Sequence, residues 1–597
     1  MSGGVLVSQG RNRPSPFILF MRKLVKNDQL VMTLLAVVIG GCVGSLAILF
    51  VEKIDFFQSL FLGISGAWIT EYIRALPAWK VVMIPTVGGL GVGLLLYYFM
   101  PGGKPKGPAD VIAACEVGGG QMSLKEGVVA LFASTFSLAC GASVGREGPA
   151  VHMGATFASW ASDKLQMSRS NTRVLLGCGV AAAVSASFNA PIAGALFAQE
   201  VILSHYALKA FAPVVIASVS GTVVAHQVVG NVTAFELKAY ELGSYLEFPA
   251  FVGLGIASGL VGILFVRAIL KTQSQTEKLP GPQWYKPALG GFCVGLIALW
   301  FPEVLGVGYE ATDNALKGQY GLALLFGLFA FKFLATVISL GFGFGGGVFS
   351  PALVIGAMLG GTYGTMATSL YPDLSSGASA YSLIGMAAMA AAVLGAPIST
   401  TLIVFELTGD YSLTIAVMCG CVMATLVNDQ MDRQSFFLEQ LKARGLDLMN
   451  NVSGLLLQQV KVSDILKQEG TYVSVDAHLP HIRKKLLRAP GGLVYVIAHD
   501  RRLYGVITWE HLPEDAFEGN LDDLVIAADI ADTRPPVIQI SDTLDVAQGI
   551  LEEVPYHQIA VVNPDEGRAY VGCIEEREVM NAYNEELLKK RKQEHGG

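Results

Sequence analysis

Long stretches of this chain carry no charged side chain: Gln29 to Val51, Val81 to Gly103, Gly127 to Gly145, Val174 to Gln199, Ala210 to Phe235, Phe333 to Pro372, Leu374 to Phe405 and Tyr411 to Asn428. A helix needs about 20 consecutive apolar residues to cross a bilayer. Each stretch is near that length or beyond it, and the longest can cross or re-enter more than once. Only 15% of the 597 residues are charged, against about 25% in an ordinary soluble domain. The sequence therefore predicts a polytopic all-α membrane domain. The first 28 residues carry Arg11, Arg13, Arg22, Lys23 and Lys26 and no apolar core before a small-residue cleavage site. No cleavable leader is read there, and the positive-inside rule places this end in the cytosol.

The composition changes abruptly near Asp429, where charge-free runs give way to QMDRQSFFLEQLKARGLDLMN. A membrane domain is expected over residues 29–445, behind a cytosolic segment at 1–28, and a soluble region over 446–597. Short β-rich runs, LVYVIA at 493–498 and QIAVVN at 558–563, alternate there with amphipathic helical patterns. Two α/β units fit, at about 460–515 and 524–585. The membrane half also repeats. PTVGGLGVGL from Pro85 returns as PALGGFCVGL from Pro287, and GREGPA from Gly145 as GVFSPA from Gly347, both 202 residues on. Ala190-Pro191-Ile192 with Glu200 returns as Ala396-Pro397-Ile398 with Glu406, 206 residues on. Three matches in one order at nearly constant offset mark two structural copies, a common transporter design. The letters alone leave parallel and inverted copies open.

Both copies set Gly and Pro inside apolar segments, in GASVGREGP, SFNAPIAG, GFGFGGGVFSP and VLGAPIS. Broken helices at membrane depth are tolerated only where the freed backbone is buried in protein or lines a cavity. A half-helix that begins at a break aims unpaired N–H groups and about half a positive charge at what precedes it. That arrangement suits an anion. Close helix packing is the plainer use of one such glycine motif, but four breaks paired by an internal repeat favour the anion site. Glu147 is a lone carboxylate at one break, and intramembrane ionisable residues are expensive and usually functional. Its plainer role would be ion partner of Arg146.

GREGP at 145–149 and GGVFSP at 346–351 resemble two signature motifs of the CLC family of chloride channels and chloride/proton antiporters. With SFNAPIAG and APIST…FELTGD the resemblance covers about residues 30–445. It implies a homodimer with one pore per subunit, built from two inverted halves whose helix N-termini meet at chloride or another small anion. No metal or organic cofactor is implied. Glu147 would be the gating glutamate, whose carboxylate stands in for chloride until protonation or displacement opens the path. Gly145, Arg146, Gly148, Gly347, Val348 and Phe349 would line the anion site, with the Val348 and Phe349 amides as central donors.

Three departures from the family pattern bear on mechanism. Pro105-Lys106-Gly107-Pro108-Ala109-Asp110 stands where the family has Gly-Ser-Gly-Ile-Pro. Lys106 then replaces an anion-binding serine, adding charge near the inner vestibule, or the loop shifts so that Gly107 offers only backbone. Phe437 replaces the pore tyrosine and has no hydroxyl to donate. Val201 occupies the position at which coupled members carry a proton-handling glutamate, next to Glu200. Valine cannot carry a proton, so channel-like passive conduction is expected, with proton-coupled antiport as the alternative. Glu200 and Glu406 read as structural residues that bond helix ends.

In the soluble region Gly505-Val-Ile-Thr508 with His511, and Gly572-Cys-Ile-Glu575 with Glu578, resemble the ends of CBS motifs. The usual ribose-binding Asp is missing from both, and a carboxylate near phosphate is disfavoured by like charge. A dimerisation module is expected, with weak adenine nucleotide binding at Thr508, His511 and Glu578 as the alternative. The eight cysteines lack the spacing of a metal site or disulfide framework. A net charge of −7 without long blocks gives no support to nucleic-acid binding. No nucleophile with a base is visible, so an enzyme is not expected. A CBS-bearing divalent cation channel would need oxygen ligands where this chain offers glycine-led helix starts. The expected location is a plasma or bacterial inner membrane, with the N-terminus and the CBS pair cytosolic.

Overall fold

The computed structural model describes residues 28–597 except 64–69, 118, 204–207, 231–242, 432–433, 449–459, 467–469, 490–491, 514–515, 518–521, 554–557, 565–568 and 596–597. The basic segment expected to be cytosolic lies, through residue 27, outside the described residues. The chain divides into two units, Met1–Leu446 and Asp447–Gly597.

In the first unit α1 (Asp28–Leu62), α2 (Thr70–Ala75), α3 (Ala78–Phe99), α4 (Pro108–Glu116), α5 (Leu124–Ala139), α6 (Glu147–Lys164) and α7 (Arg169–Phe188) follow in order. Then come α8 (Pro191–Phe197), a π turn (Ala198–Leu203) and α9 (Leu208–Val229). The second half runs α10 (Phe248–Glu277), α11 (Lys286–Ala298), α12 (Tyr309–Leu316), α13 (Leu322–Gly341) and α14 (Phe349–Leu370). It ends with α15 (Ala378–Leu394), α16 (Pro397–Thr408), α17 (Tyr411–Gln430) and the short α18 (Phe436–Ala443). Among the described residues eight helices are long and apolar enough to cross a membrane. Their outer faces are apolar, with Leu34, Val38, Leu60 and Phe326 exposed, as lipid requires. Trp79, Tyr98, Trp300 and Tyr411 are exposed at helix ends, where amphipathic rings suit the membrane interface.

The repeat read from the letters is a repeat of elements. In order, α1 and α3 to α9 correspond to α10 and α11 to α17, and neighbours in one half are neighbours in the other: α6 with α7 as α14 with α15, α7 with α9 as α15 with α17. Two glycine crossings show the correspondence at atomic scale. A Cβ on Gly154 would lie 2.4 Å from Gly179 O, and one on Gly356 would lie 2.4 Å from Gly385 O. Real Cβ contacts are never so short, so these helices touch backbone to backbone, as small residues permit in membranes. The breaks correspond as well. α5 ends just before Gly141 (φ 90°) and α13 just before Gly343 (φ 94°), a left-handed conformation that only glycine adopts without cost.

The second unit contains the same α/β pattern twice. β1 (Tyr472–Ser474) pairs parallel with β2 (Leu493–Ile497), which pairs antiparallel with β3 (Leu503–Thr508). β4 (Val537–Gln539), β5 (Gln558–Asn563) and β6 (Ala569–Glu575) repeat that order and polarity. Each sheet buries its own apolar cluster, around Val494 and Ile507 in one and Ile559 and Ile574 in the other. A third cluster joins them through Tyr495, Ala560 and Cys573, with the Tyr495 and Tyr570 rings 5.3 Å apart. Burial pushes both tyrosine hydroxyls to a higher pKa than usual.

Candidate anion site at the paired helix breaks

The two breaks meet. Gly145 N donates to Gly347 O at 2.7 Å and Gly347 N to Gly145 O at 2.8 Å, an antiparallel bridge that sets the starts of α6 and α14 side by side. A Cβ on Gly148 would stand 3.0 Å from Gly347 Cα, a contact that a larger residue could make only by pushing the two backbones apart. The bridge consumes the Gly145 and Gly347 amides, which therefore hold the breaks together. Val348 caps α14 and Phe349 opens it, and among the described residues no protein acceptor meets their N–H groups. First-turn amides are left unpaired by helix geometry and carry its partial positive charge. The Phe188 ring, 4.9 Å from that of Phe349, fixes the residue that carries one of them.

Glu147 begins α6 and is only 2% exposed. The Tyr309 hydroxyl, at the start of α12, donates to Glu147 Oε1 at 2.7 Å, and Ser350 Oγ, in the first turn of α14, donates to Oε2. Arg146 Nε lies 3.7 Å from Oε1, and its guanidinium covers the Tyr309 ring at 4.9 Å. An isolated buried carboxylate would cost several kcal/mol. Two hydroxyl donors and a cation offset that cost, so the carboxylate sits where an anion would be welcome. The Arg146 contact exists, but the two hydroxyl bonds are the tighter restraints. Arg146 also lines a cavity of about 200 Å³ together with Asp55, Gln58, Thr70 and Glu310.

Neither Tyr309 nor Ser350 was singled out from the sequence, though both were within reach. Ser350 lies inside GGVFSP, and the offset of 202 carries Gly107 onto Tyr309.

Lys106 and Gly107 are committed differently from the expectation. Lys106 Nζ is 3.1 Å from Asp110 and 3.9 Å from Glu126, so its charge is balanced locally. Gly107 N donates to Asp110 Oδ2 at 2.9 Å, and Arg444, just past α18, holds Asp110 Oδ1 at 3.0 Å. Asp110 thus caps its own helix, and the Gly107 amide is already engaged. Phe437 is buried on α18, which packs against α4 and α15, with Phe436 edge-on at 5.9 Å.

Val201 is buried in the π turn after α8. Its neighbour Glu200 accepts from Ile398 N at 3.0 Å and Ser399 N at 2.8 Å, capping α16. Glu406 reciprocates, accepting from Ile192 N and Ala193 N at 2.8 Å each and capping α8. The structural role expected of this pair is the one they have. In the second unit Thr508 N donates to His511 Nδ1 at 3.1 Å and Glu575 N to Glu578 Oε2 at 3.1 Å. The three nucleotide candidates thus belong to two equivalent turns that cap the helix starts after β3 and β6.

The membrane unit matches the model of the voltage gated chloride channel family over residues 88–429, and residues 527–585 match the CBS domain. The chain belongs to the CLC family. It is 33% identical to a putative chloride channel protein ClcB-like of Ralstonia nicotianae over 64% of this chain and 90% of that one. It is 31% identical to the voltage-gated ClC-type chloride channel ClcB of Citrobacter koseri over 68% and 97%. The fold is similar to a slow cyanobacterial Cl⁻/H⁺ antiporter (TM-score 0.64, 22% identity, 72% of this chain and 100% of that one). It is also similar to a eukaryotic CLC transporter (TM-score 0.59, 17% identity, 94% and 98%). This CLC protein is a multi-pass membrane protein of two inverted repeats with a C-terminal CBS pair, and its function is CLC-type chloride transport.

Proposed function

We propose that this CLC protein conducts chloride passively, with Glu147 as its gate and without obligatory proton exchange. The observation that carries the reading is Val201. It is apolar and buried where coupled members of the family place a carboxylate, and its neighbour Glu200 is fully occupied as a helix cap. Coupling needs a proton acceptor facing each side of the membrane, and Glu147 supplies the outer one. Support also comes from the ClcB relatives, which are named as channels, while the antiporters of similar fold keep exchange as the competing reading. The N-terminus and the CBS unit face the cytosol, and two copies form a dimer in a plasma or bacterial inner membrane.

The test is a reversal-potential measurement on reconstituted protein in a chloride gradient, with and without a pH gradient. Passive conduction keeps the reversal potential at the chloride Nernst value in both. Uphill proton movement driven by chloride would overturn the reading in favour of antiport. In the same vesicles Glu147→Gln should raise chloride flux at neutral pH and flatten its pH dependence.

A further inference from the structure

Lys332 stands in the middle of α13, where it is the only charged side chain of the helix and is 1% exposed. Its ammonium donates to Val304 O at 2.9 Å and to Gly306 O at 2.8 Å. The acids of the neighbouring loop are turned elsewhere: Glu303 pairs with Arg74 at 2.5 Å, and Glu310 accepts from Thr70. Among the described residues the ammonium therefore meets carbonyls and no counter-ion. A buried cation without a counter-ion is expensive, and ionisable residues inside a membrane domain usually serve function. An apolar side chain would complete α13 at less cost.

The two carbonyls belong to the connection that leads into α12. It runs from a 3₁₀ turn, Pro302–Val304, to Gly308, the residue before Tyr309. Gly306 N also donates to Gly141 O at 3.1 Å, which ties the connection to the end of α5. Gly308 has φ 90°, and a Cβ on it would stand 3.0 Å from Lys332 Nζ, so the ammonium lies against the last residue before the tyrosine. Direct contacts thus run from Lys332 through residues 304–308 to Tyr309 and on to Glu147. Gly306 and Gly308 both have positive φ, and glycine leaves an unclamped connection more freedom than any other residue. The first repeat is built otherwise. The offset of 202 sets Ala130 of α5 against Lys332, and there Asp110 caps the helix start from within. We propose that Lys332 is a positioning residue of the gate: by clamping residues 304–308 it keeps the Tyr309 hydroxyl on the Glu147 carboxylate and holds resting chloride flux low. Hydrogen bonds weaken steeply when distance and angle drift, so a loosened connection costs the gate that donor. The inference rests on the gating reading of Glu147.

The test is chloride efflux from proteoliposomes holding the full chain, per folded protein. Lys332→Met should raise flux several-fold at about pH 7.5, and the excess should shrink at about pH 4, where a carboxylate is largely neutral and needs no holding. Lys332→Arg, which keeps donors for both carbonyls, should stay near the wild type. On a Tyr309→Phe background Lys332→Met should add less than twofold, because the donor it positions is already gone; a merely structural lysine would add the same factor on either background. Lys332→Gln, with a shorter donor, serves where the methionine variant yields no folded protein. A variant flux within about twofold of wild type at pH 7.5, an excess that persists undiminished in acid, or an undiminished effect on the Tyr309→Phe background overturns the proposal. The gating reading fails separately: it falls if Glu147→Gln leaves flux and its pH dependence unchanged, whereas a raised Glu147→Gln beside an unmoved Lys332→Met removes only the role of Lys332.

Discussion

Tyr309→Phe tests the gate at its most accessible restraint. The substitution removes one hydroxyl and keeps the ring on which Arg146 rests. The lost bond, 2.7 Å from phenol to carboxylate, is one to a charged acceptor, and such bonds contribute about 1.5–3 kcal/mol. At about 1.4 kcal/mol per factor of ten, the seated carboxylate should lose roughly tenfold to a hundredfold of its advantage over the displaced one. Chloride flux at neutral pH should rise by a similar factor, up to a ceiling set by Glu147→Gln, in which the gate is always neutral. Efflux from proteoliposomes read by a chloride electrode gives both numbers in one series. Ser350→Ala should act in the same direction, and the double variant should fall short of the summed effects because both hydroxyls hold one carboxylate. A Tyr309→Phe flux within about twofold of wild type, beside a clearly elevated Glu147→Gln, would refute the role given to the tyrosine, since about 0.4 kcal/mol is far below a charged hydrogen bond.

Glu406→Ala removes two charge-assisted caps from α8, which should cost roughly 2–4 kcal/mol and lower the thermal midpoint of the detergent-solubilised protein; an unchanged midpoint would contradict the capping role. Gly356→Ala should sharply reduce the yield of folded protein, because its Cβ would meet Gly385 O at 2.4 Å, while Gly91→Ala, with nothing within 4 Å, should not. Truncation after Gly445 should leave anion selectivity unchanged, because every residue placed around Glu147 lies before that point; a shifted selectivity in purified truncated protein would place part of the pore machinery in the second unit.

The membrane fold was legible because lipid enforces it in the letters. Charge is excluded over whole helices, and glycine must recur wherever two backbones touch, so Gly154 and Gly356 return at the same offset as the helix starts Glu147 and Phe349. The caps Glu200 and Glu406 were legible for a related reason. A carboxylate in apolar sequence needs donors, and these two recur at matching points of the two copies, after Ala190-Pro191 and Ala396-Pro397. Orphaned atoms were not legible. Nothing in the letters around His152 or Gln199 separates a satisfied side chain from one whose nitrogen faces no partner, because that depends on which neighbours the packed elements bring.

Position 106 shows how a helix start can answer a charge with its own first turn. A lysine set against a serine invites the reading of one new positive charge beside the anion. The chain answers that charge within four residues, since Asp110 takes Lys106 on one oxygen and the Gly107 amide on the other, and Arg444 joins them. The repeat counterpart of this helix start, at α12, carries no such carboxylate: Thr312 stands where Asp110 does, and Tyr309, where Gly107 does, reaches the gate. One scaffold used twice has thus been given different contacts. The start of α4 is closed by its own acid, and the start of α12 is spent on holding Glu147. The hydroxyls that hold the Glu147 carboxylate come from the second repeat, through Tyr309 and Ser350. An exact two-fold would make the two helix starts equivalent, and that equivalence is broken at positions 107 and 110 against 309 and 312.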